Sequence, residues 1–306
     1  RGNWRIPYRR GDSRGLAEVV VVDAVRTPIG RYRGQFKDVR PDDLGAIVIR
    51  ALMERNPKLD PALIDDVIIG NANGAGEENR NVGRMSLLLA GVPQEVSGTT
   101  VNRLCGSSLD AVSLGARSIL SGDMPQTAEN VAQKYNISRE EQDAFAVRSQ
   151  QLAGKAIEEN RFADEIIPVV VMDRKGNETI INQDEHPRPS TTIEKLAKLS
   201  PLFEDGTISF VGSATYGLTS DDFDLVEINE AFASQSIECI NQLKLDIDKV
   251  NVNGGAIALG HPLGASGTRI LTTLIYEMKR RKAKLGLASM CIGVGQGISV
   301  VVENVK

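Results

Sequence analysis

Two periodicities alternate along the chain. Short apolar runs rich in β-branched residues, of the kind that fill strands, are separated by longer segments whose apolar residues recur every three or four positions, the spacing of one helix face. The first run, Glu18-Val19-Val20-Val21-Val22-Asp23-Ala24, is continuous rather than alternating and predicts a strand buried on both faces of a sheet. A helix is predicted from about Asp42 through Arg55, with Leu44, Val48, Ala51 and Leu52 as its apolar stripe and Asn56-Pro57 as its stop. Val67-Ile68-Ile69 predicts a second strand, running into an Asn- and Gly-rich loop from Gly70 to Gly76. Strand, helix, strand in that order marks a layered α/β unit.

Further along, Ser138-Arg139-Glu140-Glu141 reads as a capping box opening a helix whose inner face carries Phe145, Leu152 and Ala156. Asp184-Glu185-His186-Pro187-Arg188-Pro189 is a rigid, proline-bracketed loop. A helix from Thr268 buries Ile270, Leu271, Leu274, Ile275 and Met278, and apolar strands follow at Leu285 to Met290 and Ile298 to Val302. The chain also repeats itself: Leu52 to Asp60 and Cys239 to Asp246 are both helix ends leading through a Leu-Asp connector to a strand and a glycine loop, at Asn73-Gly74-Ala75-Gly76 and Asn253-Gly254-Gly255. Two halves of related topology, with a site where their loops meet, are the expectation. The boundaries follow as an N-terminal half over 17–123, a partial helical loop domain over 124–210 and a C-terminal half over 211–306. Residues 1–16, with five arginines and a single acid, Asp12, are expected to lie outside the fold. An Arg-rich leader could be an organellar targeting segment, but Asp12 and proline suit an amphipathic helix poorly, so added or mistranslated upstream sequence is the expectation.

Composition narrows the function classes. The chain has 306 residues, 41% hydrophobic and 25% charged, which is ordinary globular composition with room for a sizeable core, and its 4% aromatic content argues against base-stacking or carbohydrate platforms. A net charge of -4 gives no general attraction for nucleic acid or anionic membrane. Three cysteines without a spacing pattern fit free thiols in a reducing compartment. No stretch has the length of a transmembrane helix, and neither metal-ligand spacing nor a strand-linked dinucleotide fingerprint is present.

Chemistry gathers at four runs. In Thr99-Thr100-Val101-Asn102-Arg103-Leu104-Cys105-Gly106-Ser107-Ser108-Leu109-Asp110-Ala111, an extended stretch delivers Cys105 to the first turn of a helix. The positive end of a helix favours thiolate, and Gly106 lets a carbonyl approach the backbone amides beside the sulfur. A small cysteine at such a junction also packs as ordinary core, so the partners decide. His261, one of two histidines, stands in Asn253-Gly254-Gly255-Ala256-Ile257-Ala258-Leu259-Gly260-His261-Pro262-Leu263-Gly264-Ala265-Ser266-Gly267, where glycines clear space around the ring and a nearby helix start favours neutral imidazole. Cys291 lies in Ser289-Met290-Cys291-Ile292-Gly293-Val294-Gly295-Gln296-Gly297, a glycine-rich turn whose amides can point at a developing oxyanion; a buried hairpin cysteine is the alternative. Val226-Glu227-Ile228-Asn229-Glu230-Ala231-Phe232-Ala233 ends a strand and opens a helix, which puts Asn229 at a ligand crevice or makes it a helix cap. Cys239 shares a helix face with Phe232 and Leu243 and is assigned to the core.

These four runs, in this order, resemble the active-site blocks of the thiolases, the acetyl-CoA C-acyltransferases, over most of residues 17–306. Gly76-Glu77-Glu78-Asn79-Arg80-Asn81-Val82-Gly83-Arg84-Met85, with Asn102-Arg103-Leu104-Cys105-Gly106, is most similar to the branch of 3-oxoadipyl-CoA and acetoacetyl-CoA thiolases. The resemblance implies the thiolase fold, an α/β architecture of two mixed-sheet halves in αβαβα layers. It implies a reversible Claisen condensation and thiolytic cleavage of 3-oxoacyl-CoA. Cys105 would carry the acyl group, His261 would accept its proton, and Cys291 would move the α-proton. Asn229 would hold a water that completes one oxyanion hole with His261, and the amides of Cys105 and Gly293 would form the other. No cofactor or metal is implied, only acyl-CoA and CoA as substrates, in a cytoplasmic homodimer or homotetramer that binds neither nucleic acid nor membrane.

Two blocks of the family pattern are missing. After Gly122-Asp123 the chain passes straight to Met124-Pro125-Gln126, and between Thr207 and Thr219 only Val211-Gly212-Ser213-Ala214-Thr215 remains of a glycine-rich loop. Either the sequence joins segments that are not contiguous in the polypeptide, or these are true deletions. The former is expected, because removing an internal buried strand costs more than marginal stability can absorb. Two other readings compete: a thiolase-like scaffold that binds acyl groups without turnover, and a ketoacyl synthase, which would carry a second histidine in place of Cys291.

Overall fold

A computed structural model describes residues 3–5, 19–74, 80–121, 139–172, 177–192, 219–293 and 296–305. In chain order its strands are β1 (Asn3–Arg5), β2 (Val20–Val21), β3 (Asp66–Gly70), β4 (Ser97–Val101), β5 (Val169–Met172), β6 (Glu178–Ile181), β7 (Leu225–Ile228), β8 (Leu285–Ile292) and β9 (Gln296–Val305). Its α-helices are α1 (Pro41–Arg55), α2 (Val82–Ala90), α3 (Ser107–Ser121), α4 (Arg139–Glu158), α5 (Ala233–Gln242), α6 (Ala256–Leu259) and α7 (Ser266–Arg281). The main sheet runs β2-β1-β9-β8-β7 and is mixed: β7 and β8 are parallel and the other neighbours antiparallel. β3 and β4 pair in parallel from Asp66↔Ser97 to Gly70↔Val101, joined through α2, and β5 and β6 form an antiparallel pair.

The apolar positions predicted for α7 are buried as expected, but of the α1 stripe only Ala51 is: Leu44, Val48 and Leu52 are half-buried, and α1 packs on α2 through Ala46, Ile49 and Met53 instead. Pro41 opens α1, and Asp42 and Asp43 sit in its first turn where negative charge meets the helix dipole. α7 lays Ile270, Leu271, Leu274, Ile275 and Met278 on Ala288, Met290, Val300 and Val302 of the main sheet, with Leu109 from α3 in the same cluster. Each such side chain, fully buried, contributes about 1.5–3 kcal/mol, so this packing fixes the rear of α3 against α7. The internal repeat has a structural counterpart: Asp60 and Asp246 each accept a hydrogen bond from the amide two residues on, Ala62 and Asp248, and each opens a single 3-10 turn after its helix. The strand is β3 in one case and Val250, bridged to Val226, in the other.

Three expectations are corrected. Among the described residues of the Glu18–Ala24 run only Val20–Val21 form a strand, at the sheet edge, and the exposure of Val20 and Val22 shows that nothing packs over one side of the run. Asn3–Arg5 does not lie outside the fold but pairs with β2 and β9, because main-chain bonding to an open strand needs no hydrophobic pattern. Cys239 is buried, but Phe232 and Leu243, which flank α5 as its caps, are exposed and share no buried face with it. The α4 helix carries buried Phe145 and Ala156 and half-buried Leu152, while Ser138 of the capping box lies outside the described residues, as do both junctions of the missing blocks.

A buried ion cluster ties the region between the halves to the first. Arg26 donates from Nε to Glu165 Oε1 at 2.8 Å and from both Nη atoms to the Asp184 carboxylate at 2.8 and 2.9 Å. Asp184 also accepts from the Ile29 amide at 2.8 Å, and Glu165 from Thr273 of α7. The loop it anchors sets His186 against Gly260, whose φ of 103° is a conformation only glycine adopts readily, directly before His261.

Candidate active site

Cys105 sits in a tight turn between β4 and α3. Leu104 before it has φ 47°, and the turn is locked by Ser107, whose Oγ accepts from the Arg103 amide at 2.9 Å and donates to Leu104 O at 2.6 Å. Arg103 is held in turn by Asp110, Nε to Oδ2 at 2.8 Å. An αL non-glycine residue costs about 1 kcal/mol or more and persists only where its surroundings dictate it. Here the result is a thiol presented at the mouth of α3, half-buried at the margin of the main core.

The rear half closes directly on this turn. A Cβ on Gly106 would stand 2.5 Å from Ile292 Cδ1, and one on Gly293 would stand 2.9 Å from Leu104 Cδ1, so residues 104–106 and 291–293 approach as only glycines allow. Cys291 is the penultimate residue of β8, opposite Gly297 on β9, rather than within the turn as expected from the sequence. Burial pushes its thiol up to about 12, and the sulfurs of Cys105 and Cys239 add to the rise.

His261 reaches the same place by a different suture. The first turns of α3 and α7 are joined by Thr268 N donating to Ser108 Oγ at 3.0 Å, and Gly267 packs against the Leu109 backbone. The imidazole Nδ1 lies 2.6 Å from Ser266 Oγ, and Nε2 lies 3.5 Å from Asn229 Nδ2. A carboxamide nitrogen only donates, so this arrangement leaves Nε2 as an acceptor and puts the ring proton on Nδ1, facing Ser266. Burial, with the Arg269 guanidinium second, holds the imidazole below its ordinary value, which is the neutral state expected but for a cause other than the helix terminus alone. Asn229 is fully buried just past the end of β7, its amide bonded to Ser289 O at 2.9 Å, and its Oδ1 has no hydrogen-bond partner. Asn229 is therefore no helix cap: α5 begins only at Ala233.

Of the five residues singled out in the sequence, Cys105, Cys291 and Gly293 lie in runs that touch at the turn before α3, the helix that follows His261 is stitched to the first turn of α3, and Asn229 joins through its 3.5 Å approach to His261. Sequence reasoning missed Ser266, which orients His261, Ser107 and Ser108, which lock the nucleophile turn and join α3 to α7, and Gln235, which lies against Cys291. Ser266 stood five residues after His261 within a run already of interest; Gln235 left no signal of that kind. A polar cavity of about 490 Å³ opens at the far end of α7, rimmed by Arg161, Arg280 and Arg281, but Glu159 and Glu277 pair with these arginines and the cavity holds none of the five. Among the described residues no group of three or more His, Cys, Asp or Glu side chains could hold a metal ion, and no helix is long and apolar enough to cross a membrane.

Comparison with known proteins gives this geometry its family. The profile of the thiolase N-terminal domain matches residues 19–126 and 123–216, and that of the thiolase C-terminal domain matches 212–304. The chain belongs to the thiolase family. A beta-ketoadipyl-CoA thiolase of Acinetobacter baylyi is 41% identical over 401 aligned positions, covering 95% of this chain and 100% of that protein. A 3-oxoadipyl-CoA/3-oxo-5,6-dehydrosuberyl-CoA thiolase of Escherichia coli is 39% identical with the same coverage. The alignments exceed the 306 residues of this thiolase-family chain, so these relatives carry stretches that it skips. The crystal structure of the Bacillus anthracis acetyl-CoA acetyltransferase superposes with a TM-score of 0.83 at 29% identity, covering 99% of both chains, and the fold is the thiolase fold.

Proposed function

We propose that the four blocks around α3 carry out the thiolase reaction on 3-oxoacyl-CoA thioesters, with Cys105, His261, Cys291, Asn229 and Gly293 in the roles that the family resemblance implies. The chain is an acyltransferase of the thiolase family. In cleavage, His261 Nε2 takes the Cys105 proton and the sulfur attacks the keto carbon. The bond between the keto carbon and the α-carbon breaks, the Cys291 thiol protonates the α-carbon, and acetyl-CoA leaves an acyl group on Cys105. An incoming CoA thiol then gives its proton to the Cys291 thiolate while its sulfur attacks the acyl-enzyme, and Cys105 takes its proton back from His261. A thiol raised to about 12 starts this cycle protonated, and its thiolate is a strong base in the reverse, condensing direction.

Oxyanion stabilisation falls to protonated Nε2 of His261 with a water held by Asn229, whose buried, unpartnered Oδ1 suits an added donor, and to the amides of Cys105 and Gly293. The observation that carries the reading is the direct packing of the Cys105 turn on residues 291–293, with the helix that follows His261 joined to α3 and its imidazole Nε2 held as an acceptor. A cysteine at 291 speaks against a ketoacyl synthase. The printed names of the relatives favour 3-oxoadipyl-CoA as substrate, and homodimers or homotetramers in the cytoplasm, without metal or redox cofactor, belong to the same proposal. The stretches that the chain skips relative to its relatives favour one second reading, an acyl-binding scaffold without turnover.

Incubation with acetyl-CoA followed by peptide mass spectrometry separates the two readings. The expected result is an acetyl adduct on the Cys105 peptide, lost in Cys105→Ser, with thiolysis of 3-oxoadipyl-CoA by the parent chain. No adduct under conditions that label another thiolase supports the scaffold.

A further inference from the structure

Gln235, in the first turn of α5, is 1% exposed, yet its side-chain partners are two sulfurs. Its Nε2 donates toward Cys239 Sγ at 3.6 Å, and its Oε1 faces the Cys291 thiol, also at 3.6 Å. Thiols are weak partners, and burying a carboxamide without strong ones is unfavourable, so this amide adds little to stability where an apolar side chain of the same length would fill the space. Its position between the two sulfurs calls for another account.

We infer that Gln235 is a positioning residue for Cys291, its carboxamide oriented by Cys239 so that the acceptor end meets the Cys291 thiol. The inference rests on the reading of Cys291 as the proton-transferring thiol. An acceptor oxygen aimed at sulfur welcomes S–H and opposes thiolate, so the resting group is the acid that cleavage needs, held in one rotamer. Cys239 supplies the asymmetry: with Nε2 committed to Cys239 Sγ, the amide does not turn its donor end toward Cys291. The titratable groups facing Cys291 are the Cys105 thiol from the α3 turn and the Cys239 thiol from α5, and Cys239 in turn feels Glu238.

The test uses the full chain and the variants Gln235→Met and Cys239→Ala, the second serving if the first fails to fold. The pH dependence of iodoacetamide alkylation at Cys291 is read by peptide mass spectrometry. Exchange of the acetyl-CoA methyl protons with deuterated water and acetylation of Cys105 are followed in parallel. In both variants the Cys291 profile moves to lower pH by about one unit or more, because one has lost the opposing oxygen and the other frees the amide to donate to thiolate. Methyl exchange falls about tenfold or more, while Cys105 acetylation stays within about threefold of the parent. An alkylation profile that stays at the parent's position in either folded variant overturns the inference, as does an equal fall of exchange and acetylation. If the parent itself neither acetylates Cys105 nor exchanges methyl protons, the assignment of the reaction has failed instead, and the alkylation profiles still decide the role of Gln235.

Discussion

Gly267 is where the two halves of the site are pressed together. A Cβ there would stand 2.5 Å from Leu109 Cβ and 2.6 Å from the Leu109 backbone nitrogen, which belongs to α3 and has no flexible end to swing aside. Ordinary carbon contacts lie at about 3.5–4.0 Å, so Gly267→Ala requires α3 and α7 to part by about 1 Å. Overpacking of that size costs about 1–3 kcal/mol. The larger effect is on chemistry, because Cys105 sits in the turn that leads into α3 and His261 on the approach to α7, and a misplacement of about 1 Å between reacting groups costs roughly 100-fold. Gly115, on the same α3 helix, supplies the control: its nearest neighbour to a new Cβ is Ile68 Cδ1 at 4.0 Å, so Gly115→Ala removes backbone freedom without a clash and stabilises by about 0.5–1 kcal/mol. Thermal melting and the rate of Cys105 acetylation by acetyl-CoA measure both. The expectation is a lower melting temperature and acetylation slowed by about two orders of magnitude for Gly267→Ala, against a slightly higher melting temperature and unchanged acetylation for Gly115→Ala. A Gly267→Ala protein that acetylates within about threefold of the parent refutes the claim that helix contact at this point sets the geometry of the site.

His261 gives a pH prediction. Its folded value lies below the ordinary 6.5, so the imidazole stays neutral and able to take the Cys105 proton at pH values where a free histidine is already charged. The acid limb of kcat/KM for thiolysis should therefore fall below 6.5, activity rising with pH through the depressed value; a limb at or above 6.5 contradicts the burial argument. The same depression means that the unfolded chain binds the extra proton first, so this group's stabilising contribution is complete above the unfolded value and is lost as pH falls toward the folded one. Arg26→Met leaves Glu165 and Asp184 facing each other, buried and unpaired, and should cost about 3–5 kcal/mol in denaturant unfolding. A loss below about 1 kcal/mol would show that the cluster is not the anchor its geometry suggests.

Much of the site was legible because its chemistry is written in short runs. Cys105, His261 and Cys291 are each flanked by glycines, and those glycines turn out to be the close approaches, at Gly106, Gly267 and Gly293, that let the runs touch. The apolar positions of α7 were legible because they recur every three or four residues, whereas α1 carries apolar residues on more than one face and the sequence did not say that Ala46, Ile49 and Met53, rather than Leu44, Val48 and Leu52, would meet the core. Strand context was not: Val19 to Val22 reads the same whether a sheet continues beyond it or ends there, and the pairing of Asn3–Arg5 comes from main-chain groups that carry no residue signature. Gln235 was illegible for a related reason. Its meaning depends on a strand 56 residues away delivering Cys291 to its Oε1, a coincidence of tertiary structure that no local spacing records. Cys239 shows the reverse error, since its burial was expected for a face it does not share.

Glu230, one residue past Asn229, joins parts of the chain that the sequence would divide. Its fully buried carboxylate, its titration raised by burial, accepts from Ser149 of α4 at 2.6 Å, from Asn251 at 2.9 Å and from the Ile257 amide at 3.0 Å. The helix between the halves and the glycine loop that leads to His261 therefore share one hydrogen-bonded knot, and neither can loosen without exposing the other's unmet donors. Domain boundaries drawn along the chain are for that reason not boundaries of cooperativity: α4 and the histidine loop should melt as a single unit.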